Sequence, residues 1–194
     1  RRRGVVQGMD DGYGGKIVSL GVHRAYQIRH GAGPMPTHDD AMSEALLPGS
    51  NKDSNRWQGD VRVGPLDLVL LRYALAASGP NAYDGLALTW FDQVERNSAW
   101  SLCNKYTNNG DTDLFAPDGD IRVRSGDDQA QLDHLAKLTQ ALTRVRPQVT
   151  DLRLPATTDR DARFDFVAGT LGERLPVPVR MISFGPTERD KHCK

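Results

Sequence analysis

The chain has 194 residues, a formal net charge of zero and 38% hydrophobic residues, which is typical of a folded globular protein. Because 25 basic residues balance 25 acidic ones, the composition gives no electrostatic reason to expect a nucleic-acid partner. No apolar run reaches the roughly 18–20 residues that cross a bilayer, so we expect no membrane partner. Two cysteines, Cys103 and Cys193, lie far apart without metal-ligand spacing, which favours a reducing compartment, the cytoplasm, and predicts no metal site.

The first third of the chain has mainly the composition of loops. Residues 1–16 are basic and then glycine-rich, which is typical of a loop. The apolar pattern of residues 17–28 predicts a strand. Residues 29–64 are rich in Gly, Pro, Asn and Asp and show little periodicity, so we predict a long loop. Loops of that length inside a compact domain usually have a function.

The rest of the chain alternates helical and extended patterns. Pro65 suits the first turn of a helix, and apolar spacing predicts that helix from Leu66 to Ala77. Similar spacing predicts helices at 128–145 and 159–172. The predicted strands are 85–91, 100–106, 121–124 and 179–183. This order predicts an α/β fold with a mixed, partly parallel sheet flanked by helices.

Two of these predicted strands end in residues that suit a ligand. One ends at TWFD, residues 89–92, and the other at SFGP, residues 183–186. In open α/β sheets, ligands bind outside the carboxyl ends of the strands. The Asp92 carboxylate can accept from two adjacent N–H groups of guanine, while backbone N–H groups of the other turn meet the guanine oxygen and Trp90 or Phe184 stacks on the ring. The alternative is that Asp92 is an ordinary turn or capping residue and that S-x-G-P is an ordinary turn.

Four segments of the chain form an ordered set: HGAGPMPT at 30–37, GPLDLVLLRYAL at 64–75, GLALTWFD at 85–92 and SFGPTER at 183–189. They resemble, in order and spacing, segments in the C-terminal half of adenylosuccinate synthetases, and VVQG at 5–8 is similar to a further one. The resemblance implies the C-terminal portion of the P-loop-related fold of that family. It also implies a purine-biosynthesis ligase that joins L-aspartate to IMP, gives adenylosuccinate, uses GTP and Mg²⁺, and forms a homodimer.

The resemblance assigns a nucleotide-binding role to residues at both strand ends. Asp92 resembles the acid that reads the guanine of GTP. Ser183, Gly185 and Pro186 resemble the turn on the other side of that base. Trp90 departs from the family pattern, because it replaces a lysine whose stem covers the base.

The resemblance also assigns two residues to the other substrates. Gln7 resembles the glutamine that contacts the nucleotide substrate, and Arg62 resembles the last arginine of the loop that holds aspartate. That loop is shortened in this chain, and DGYGGK at 11–16 resembles a remnant of a glycine- and threonine-rich loop that touches the substrate phosphate. Nothing matches the family's glycine-rich phosphate loop or its catalytic histidine segment. We therefore expect the C-terminal part of the enzyme, with no catalytic residue of its own and incomplete for catalysis alone.

On this interpretation, residues 1–194 belong to a single synthetase domain. It comprises a glycine-rich loop at 1–16, a substrate loop region at 29–64 and a nucleotide-base-binding α/β part at 65–194. Three alternatives remain. The departures resemble a phage-type 2-aminoadenylosuccinate synthetase that uses dGMP and ATP; the missing phosphate loop also fits a non-catalytic nucleotide-binding module, or a fragment without autonomous function.

Overall fold

The computed structural model describes residues 18–47, 56–96, 99–107 and 110–194. The predictions for segment 1–16 lie outside these residues. The strands are β1 Leu20–Arg24, β2 Gln27–Arg29, β3 Arg62–Gly64, β4 Leu66–Asp67, β5 Gly85–Thr89, β6 Ala99–Thr107, β7 Arg146–Arg153, β8 Val179–Ser183 and β9 Lys191–Cys193. The helices are α1 Asp40–Leu46, α2 Leu68–Ala77, α3 Phe91–Arg96, α4 Gln129–Leu142 and α5 Arg160–Gly172, with a 3₁₀ turn at Glu188–Asp190.

The largest sheet has four strands in the order β1-β5-β8-β9. Strand β5 pairs in parallel with both β1 and β8, and β9 pairs antiparallel with β8. The residues of β5 from Gly85 to Leu88 are all buried, as expected of a parallel strand covered on both faces. This sheet confirms the predicted α/β fold with a mixed, partly parallel sheet and flanking helices.

Two smaller sheets complete the fold. Strands β4, β6 and β7 form a three-stranded sheet in which β4 and β6 are parallel and β6 and β7 antiparallel. Strands β2 and β3 form an antiparallel pair. Buried Trp100 on β6 donates from its indole Nε1 to the carbonyl of Ala25, 2.7 Å away, and so fixes β6 beside the end of β1. Among the described residues, no helix is both long and apolar enough to cross a membrane.

The N-terminal predictions were only partly right. The single strand predicted at 17–28 is two strands, because Ala25 and Tyr26 turn into the core between β1 and β2. The loop predicted at 29–64 contains α1 and β3. Helix α1 begins at an N-cap, Asp39, whose carboxylate accepts from the Met42 N–H at 2.8 Å. The β2–β3 pair joins residues more than 30 positions apart, which periodicity does not reveal.

Three later predictions also need correction. Leu66 and Asp67 form β4, and the helix begins at Leu68 with Asp67 as its N-cap. The strand predicted at 121–124 is only an isolated bridge between Phe115 and Ile121. Strand β7 was not predicted, because most of its side chains are exposed and polar and leave no apolar alternation. The strands predicted at 100–106 and 179–183 are confirmed as β6 and β8, and the three predicted helices as α2, α4 and α5 with shifted ends.

Candidate functional site

The carboxyl ends of β5 and β8 meet at one edge of the four-stranded sheet. The strands are parallel neighbours, with Leu88 opposite Ile182. Just beyond them, the buried rings of Phe91 and Phe184 pack edge to face with their centroids 5.6 Å apart. Because Asp92 follows Phe91 and Gly185 follows Phe184, the structure brings the two predicted ligand-binding segments together.

Asp92 lies in a helix and does not end a strand. Strand β5 stops at Thr89, and Asp92 occupies the first turn of the short helix α3. The prediction that the strand extends to 91 was therefore wrong. The Asp92 Oδ2 accepts from the Gln93 side-chain amide at 2.6 Å and lies 3.9 Å from Arg96 Nη2. The carboxylate keeps 24% of its surface exposed, so it is partly engaged by its own helix and partly open to solvent.

Trp90 directly follows the last residue of β5, Thr89. Its φ of +61° lies in the left-handed region, which is costly for a bulky L-residue and stops the extended ladder. The half-buried ring packs against the core and lies under the Arg24 guanidinium, 5.1 Å from its carbon. Strain of this kind is often found at functional sites, where surrounding structure holds the residue in place.

The turn after β8 is held tightly by side chains. Buried Ser183 donates from Oγ to the Gly185 carbonyl at 2.9 Å, and Lys191 Nζ donates to the same oxygen at 2.6 Å. The Asp190 carboxylate accepts from the Thr187 hydroxyl and from its backbone N–H. A Cβ at Gly185 would lie only 2.7 Å from that carboxylate, so a larger residue there would force the Asp190 side chain to shift.

The backbone N–H groups of this turn are not equivalent. Phe184 donates to the Asp190 carbonyl, Thr187 donates to the Asp190 carboxylate, and Pro186 has no N–H group. Gly185 is left as the donor that makes no hydrogen bond within the described chain. A buried or half-buried backbone donor normally has a partner, so this N–H is the polar group of the turn that remains to be explained.

Phe184 does not occupy the position that stacking on a ligand would require. It is only 6% exposed and belongs to the main core, so the predicted stacking role of Phe184 is wrong. The Arg160 guanidinium covers its ring at 4.4 Å. Among the aromatic candidates, Trp90 alone keeps the stacking interpretation open.

Arg62 lies apart from the strand ends, on the β2–β3 pair. Its Nη2 donates to the carbonyls of Gly31 and Gly33, each at 2.8 Å, and it pairs in register with Arg29. Arg29 in turn donates from Nε and Nη2 to the Ala32 carbonyl. The two arginines thus shape the glycine turn of the HGAGPMPT segment, and Gln7 lies outside the described residues.

Sequence reasoning missed several side chains at the sheet edge. Gln93 had a local signal, because it follows Asp92 directly. Arg24, Arg160 and Lys191 had none, because each reaches the edge from a different element. Within the described ranges, no group of three or more His, Cys, Asp or Glu side chains is arranged to hold a metal ion.

Comparison with known proteins adds independent evidence. A sequence model of the adenylosuccinate synthetase family matches residues 4–192. Adenylosuccinate synthetase of Bdellovibrio bacteriovorus is 28% identical over 168 residues, which cover 86% of this chain and 36% of the relative. That of Chlorobium phaeobacteroides is 30% identical over 188 residues, covering 92% of this chain and 38% of the relative.

The fold agrees with these sequence matches. The fully ligated adenylosuccinate synthetase of Plasmodium falciparum superposes with a TM-score of 0.64 at 17% identity, covering 97% of this chain and 43% of that one. The chain spans a little over one third of the length of the curated relatives that it matches. With the family segments meeting at one sheet edge, these matches show that the chain belongs to the adenylosuccinate synthetase family.

Proposed function

We propose that this chain supplies the base-binding part of a ligase that joins L-aspartate to IMP, with hydrolysis of GTP, and releases adenylosuccinate. Asp92 accepts the two adjacent N–H groups of guanine, and the Gly185 N–H donates to the guanine oxygen. Ser183 and Pro186 shape the turn that presents Gly185, and Trp90 covers one face of the base. This proposal extends the family membership to an activity and to named residues.

The observation that carries the proposal is the contact between Phe91 and Phe184. It joins the helix that carries Asp92 to the turn that carries Gly185, so an acceptor and a donor face one edge of the sheet. A guanine needs this pairing, because its N1–H and N2–H₂ donors adjoin its O6 acceptor. The held turn and the buried rings mean that the edge is preorganised.

The remaining ligands are assigned with the same proposal. Arg62 positions the aspartate-binding loop through its two carbonyl contacts, and Gln7 contacts IMP. Mg²⁺ neutralises charge on the transferred phosphoryl group when it is bound. We expect the complete protein to act in the cytoplasm as a homodimer.

A second candidate is the phage-type reaction, in which dGMP replaces IMP and ATP replaces GTP. Gln93 favours it, because its amide already donates to Asp92 Oδ2 and so competes with the guanine donors. Trp90 is compatible with both candidates, because an indole stacks on either purine without reading its edge. The two candidates predict opposite nucleotide preferences at the same site.

The first test measures binding of GTP and ATP to the 194-residue chain by calorimetry. We expect Asp92→Asn to weaken GTP binding by about tenfold and to leave ATP binding unchanged, because only guanine donates two hydrogen bonds to the carboxylate. Asp113→Asn, at an exposed loop position, is the matched control and should change neither. Equal loss for both nucleotides would contradict guanine reading, and no binding of either would refute the base site.

The second test measures turnover. In the complete protein, aspartate-dependent phosphate release is followed with IMP plus GTP and with dGMP plus ATP. Turnover with the first pair supports the proposal, and turnover with the second supports the phage-type reaction. Nucleotide binding without any turnover would instead support a non-catalytic module.

A further inference from the structure

A groove lies between the end of α3, the segment after β7 and the start of α5. Its volume is about 580 Å³. A second cavity of about 310 Å³ shares part of this lining and continues to Arg160. The side chains that matter are Glu95, Arg153, Thr157, Thr158, Arg160 and Arg163.

Arg163 is a charged residue with incomplete hydrogen bonding. It is 8% exposed, and its Nη2 donates to the Thr157 carbonyl at 2.8 Å. Its Nε lies 3.4 Å from Glu95 Oε1, an ion-pair distance at which no hydrogen bond forms. In the described chain, Nε and Nη1 of Arg163 therefore have no hydrogen-bond acceptor. Buried donors of a guanidinium without acceptors are costly, and such groups usually have a bound partner.

The rest of the lining is rich in positive charge and donors. The exposed Arg153 side chain makes no hydrogen bond or ion pair within the described ranges. The Arg160 guanidinium lies over the Phe184 ring at 4.4 Å and also interacts electrostatically with Asp190. Thr158 carries a hydroxyl that has no partner among the described residues. Two acidic side chains oppose this positive charge: Glu95 lines both cavities, and Asp159 lines the second. Glu95 is 35% exposed, so it has room to turn outward.

We propose that this groove binds an oxyanion, the phosphate or carboxylate group of a small molecule, which takes the place of Glu95 beside Arg163. The incoming oxygen atoms accept from the guanidinium of Arg163, with Arg153 and the Thr158 hydroxyl completing the contacts. Glu95 moves toward solvent, where its charge is screened. The inference does not depend on the proposed function, because Trp90, Asp92 and Gly185 do not line the groove, although Arg160 reaches both the second cavity and the sheet edge.

Calorimetric titration of the 194-residue chain with inorganic phosphate and, separately, with succinate tests the proposal. We expect saturable binding of at least one, and that result names the oxyanion. Arg153→Gln should weaken it about tenfold, because one charged donor is lost. Arg146→Gln removes the same charge from the other end of β7 and should have no effect.

Glu95→Gln gives the sharpest result, because it acts in the opposite direction. Removing the competing carboxylate should tighten oxyanion binding several-fold, whereas a purely structural ion pair would give no such gain. Asp92→Asn should leave oxyanion binding unchanged, which separates this site from the base site. Failure of both anions to saturate, or equal weakening by Arg153→Gln and Arg146→Gln, would overturn the proposal.

Discussion

Polar groups are less completely hydrogen-bonded at the edge of the four-stranded sheet than in the interior of the three-stranded sheet. At the edge, Trp90 has a left-handed φ, the Gly185 N–H makes no hydrogen bond in the described chain, and the Asp92 carboxylate accepts one hydrogen bond, from Gln93, and is partly exposed to solvent. In the interior, the Asp67 carboxylate is fully buried, accepts from the Tyr106 hydroxyl at 2.5 Å and caps α2. The polar groups of the first arrangement are only partly paired, which is why we propose a ligand site there, whereas the second arrangement uses its polar groups to stabilise the fold.

The largest expected difference between the two regions concerns their cysteines. Burial raises the pKa of the Cys103 thiol, in the three-stranded sheet, to about 12, whereas Cys193 on β9 is exposed. At neutral pH we expect a thiol reagent to modify Cys193 at least about a thousandfold faster than Cys103, because the reagent reaches the buried Cys103 thiol only when the chain unfolds. Mass spectrometry of the partly labelled chain measures this. Fast labelling of Cys103 would mean that the three-stranded sheet opens as readily as the edge.

Tyr106→Phe tests the interior directly. The substitution leaves the Asp67 carboxylate buried with one acceptor fewer satisfied, so we expect the free energy of unfolding to fall by about 2 kcal/mol. Denaturant unfolding followed by circular dichroism measures this, and nucleotide binding should be unchanged. The matched control is Tyr73→Phe, whose hydroxyl makes no hydrogen bond in the described part of the chain; it should change stability by less than about 0.5 kcal/mol. Equal effects would show that the buried pair adds nothing.

Gly185→Ala tests the edge. Its Cβ would collide with the Asp190 carboxylate, so we expect the turn to open and stability to fall by about 1 kcal/mol. The shift of the Gly185 N–H should also weaken GTP binding. Gly169→Ala is the control, because a Cβ there meets nothing within 4 Å and alanine suits the helix better than glycine. If Gly185→Ala keeps wild-type binding, the turn does not present a donor to the ligand.

The smallest expected effect is a pH dependence at His23, on β1. Burial lowers its pKa below the ordinary 6.5, although the hydrogen bond with the Arg24 carbonyl opposes this. The unfolded chain therefore takes up a proton near pH 6.5 that the folded chain resists, and the contribution of His23 to stability falls as the pH drops below that value. His23→Asn should flatten the fall in melting temperature between about pH 7.5 and about pH 5.5. The exposed His30→Asn control should keep the wild-type slope.

The elements with strong local patterns were predictable from the sequence. Strand β5 is a continuous apolar run, and α4 repeats leucine at helical spacing, so both were found. Strand β7 was missed because its side chains are mostly exposed, and β3 because its pairing with β2 closes a long loop. Backbone pairing of this kind leaves little trace in side-chain periodicity.

The same limit applies to the candidate site. That Asp92 and Gly185 share an edge followed from the rule for parallel strands. That Phe184 turns into the core while Arg24 covers Trp90 did not follow, because both depend on packing between elements distant in the chain. The resemblance gave the order of these residues along the chain, but their contacts with one another could be read only from the structure.

Trp90 has a further consequence for experiments on this chain. Its three tryptophans lie in three environments: Trp57 is 80% exposed, Trp100 is buried, and Trp90 lies between them at the edge. Their fluorescence should therefore differ in wavelength, and a base stacked on Trp90 should quench the intermediate component alone. Trp90 fluorescence would therefore report directly on the base binding that we propose.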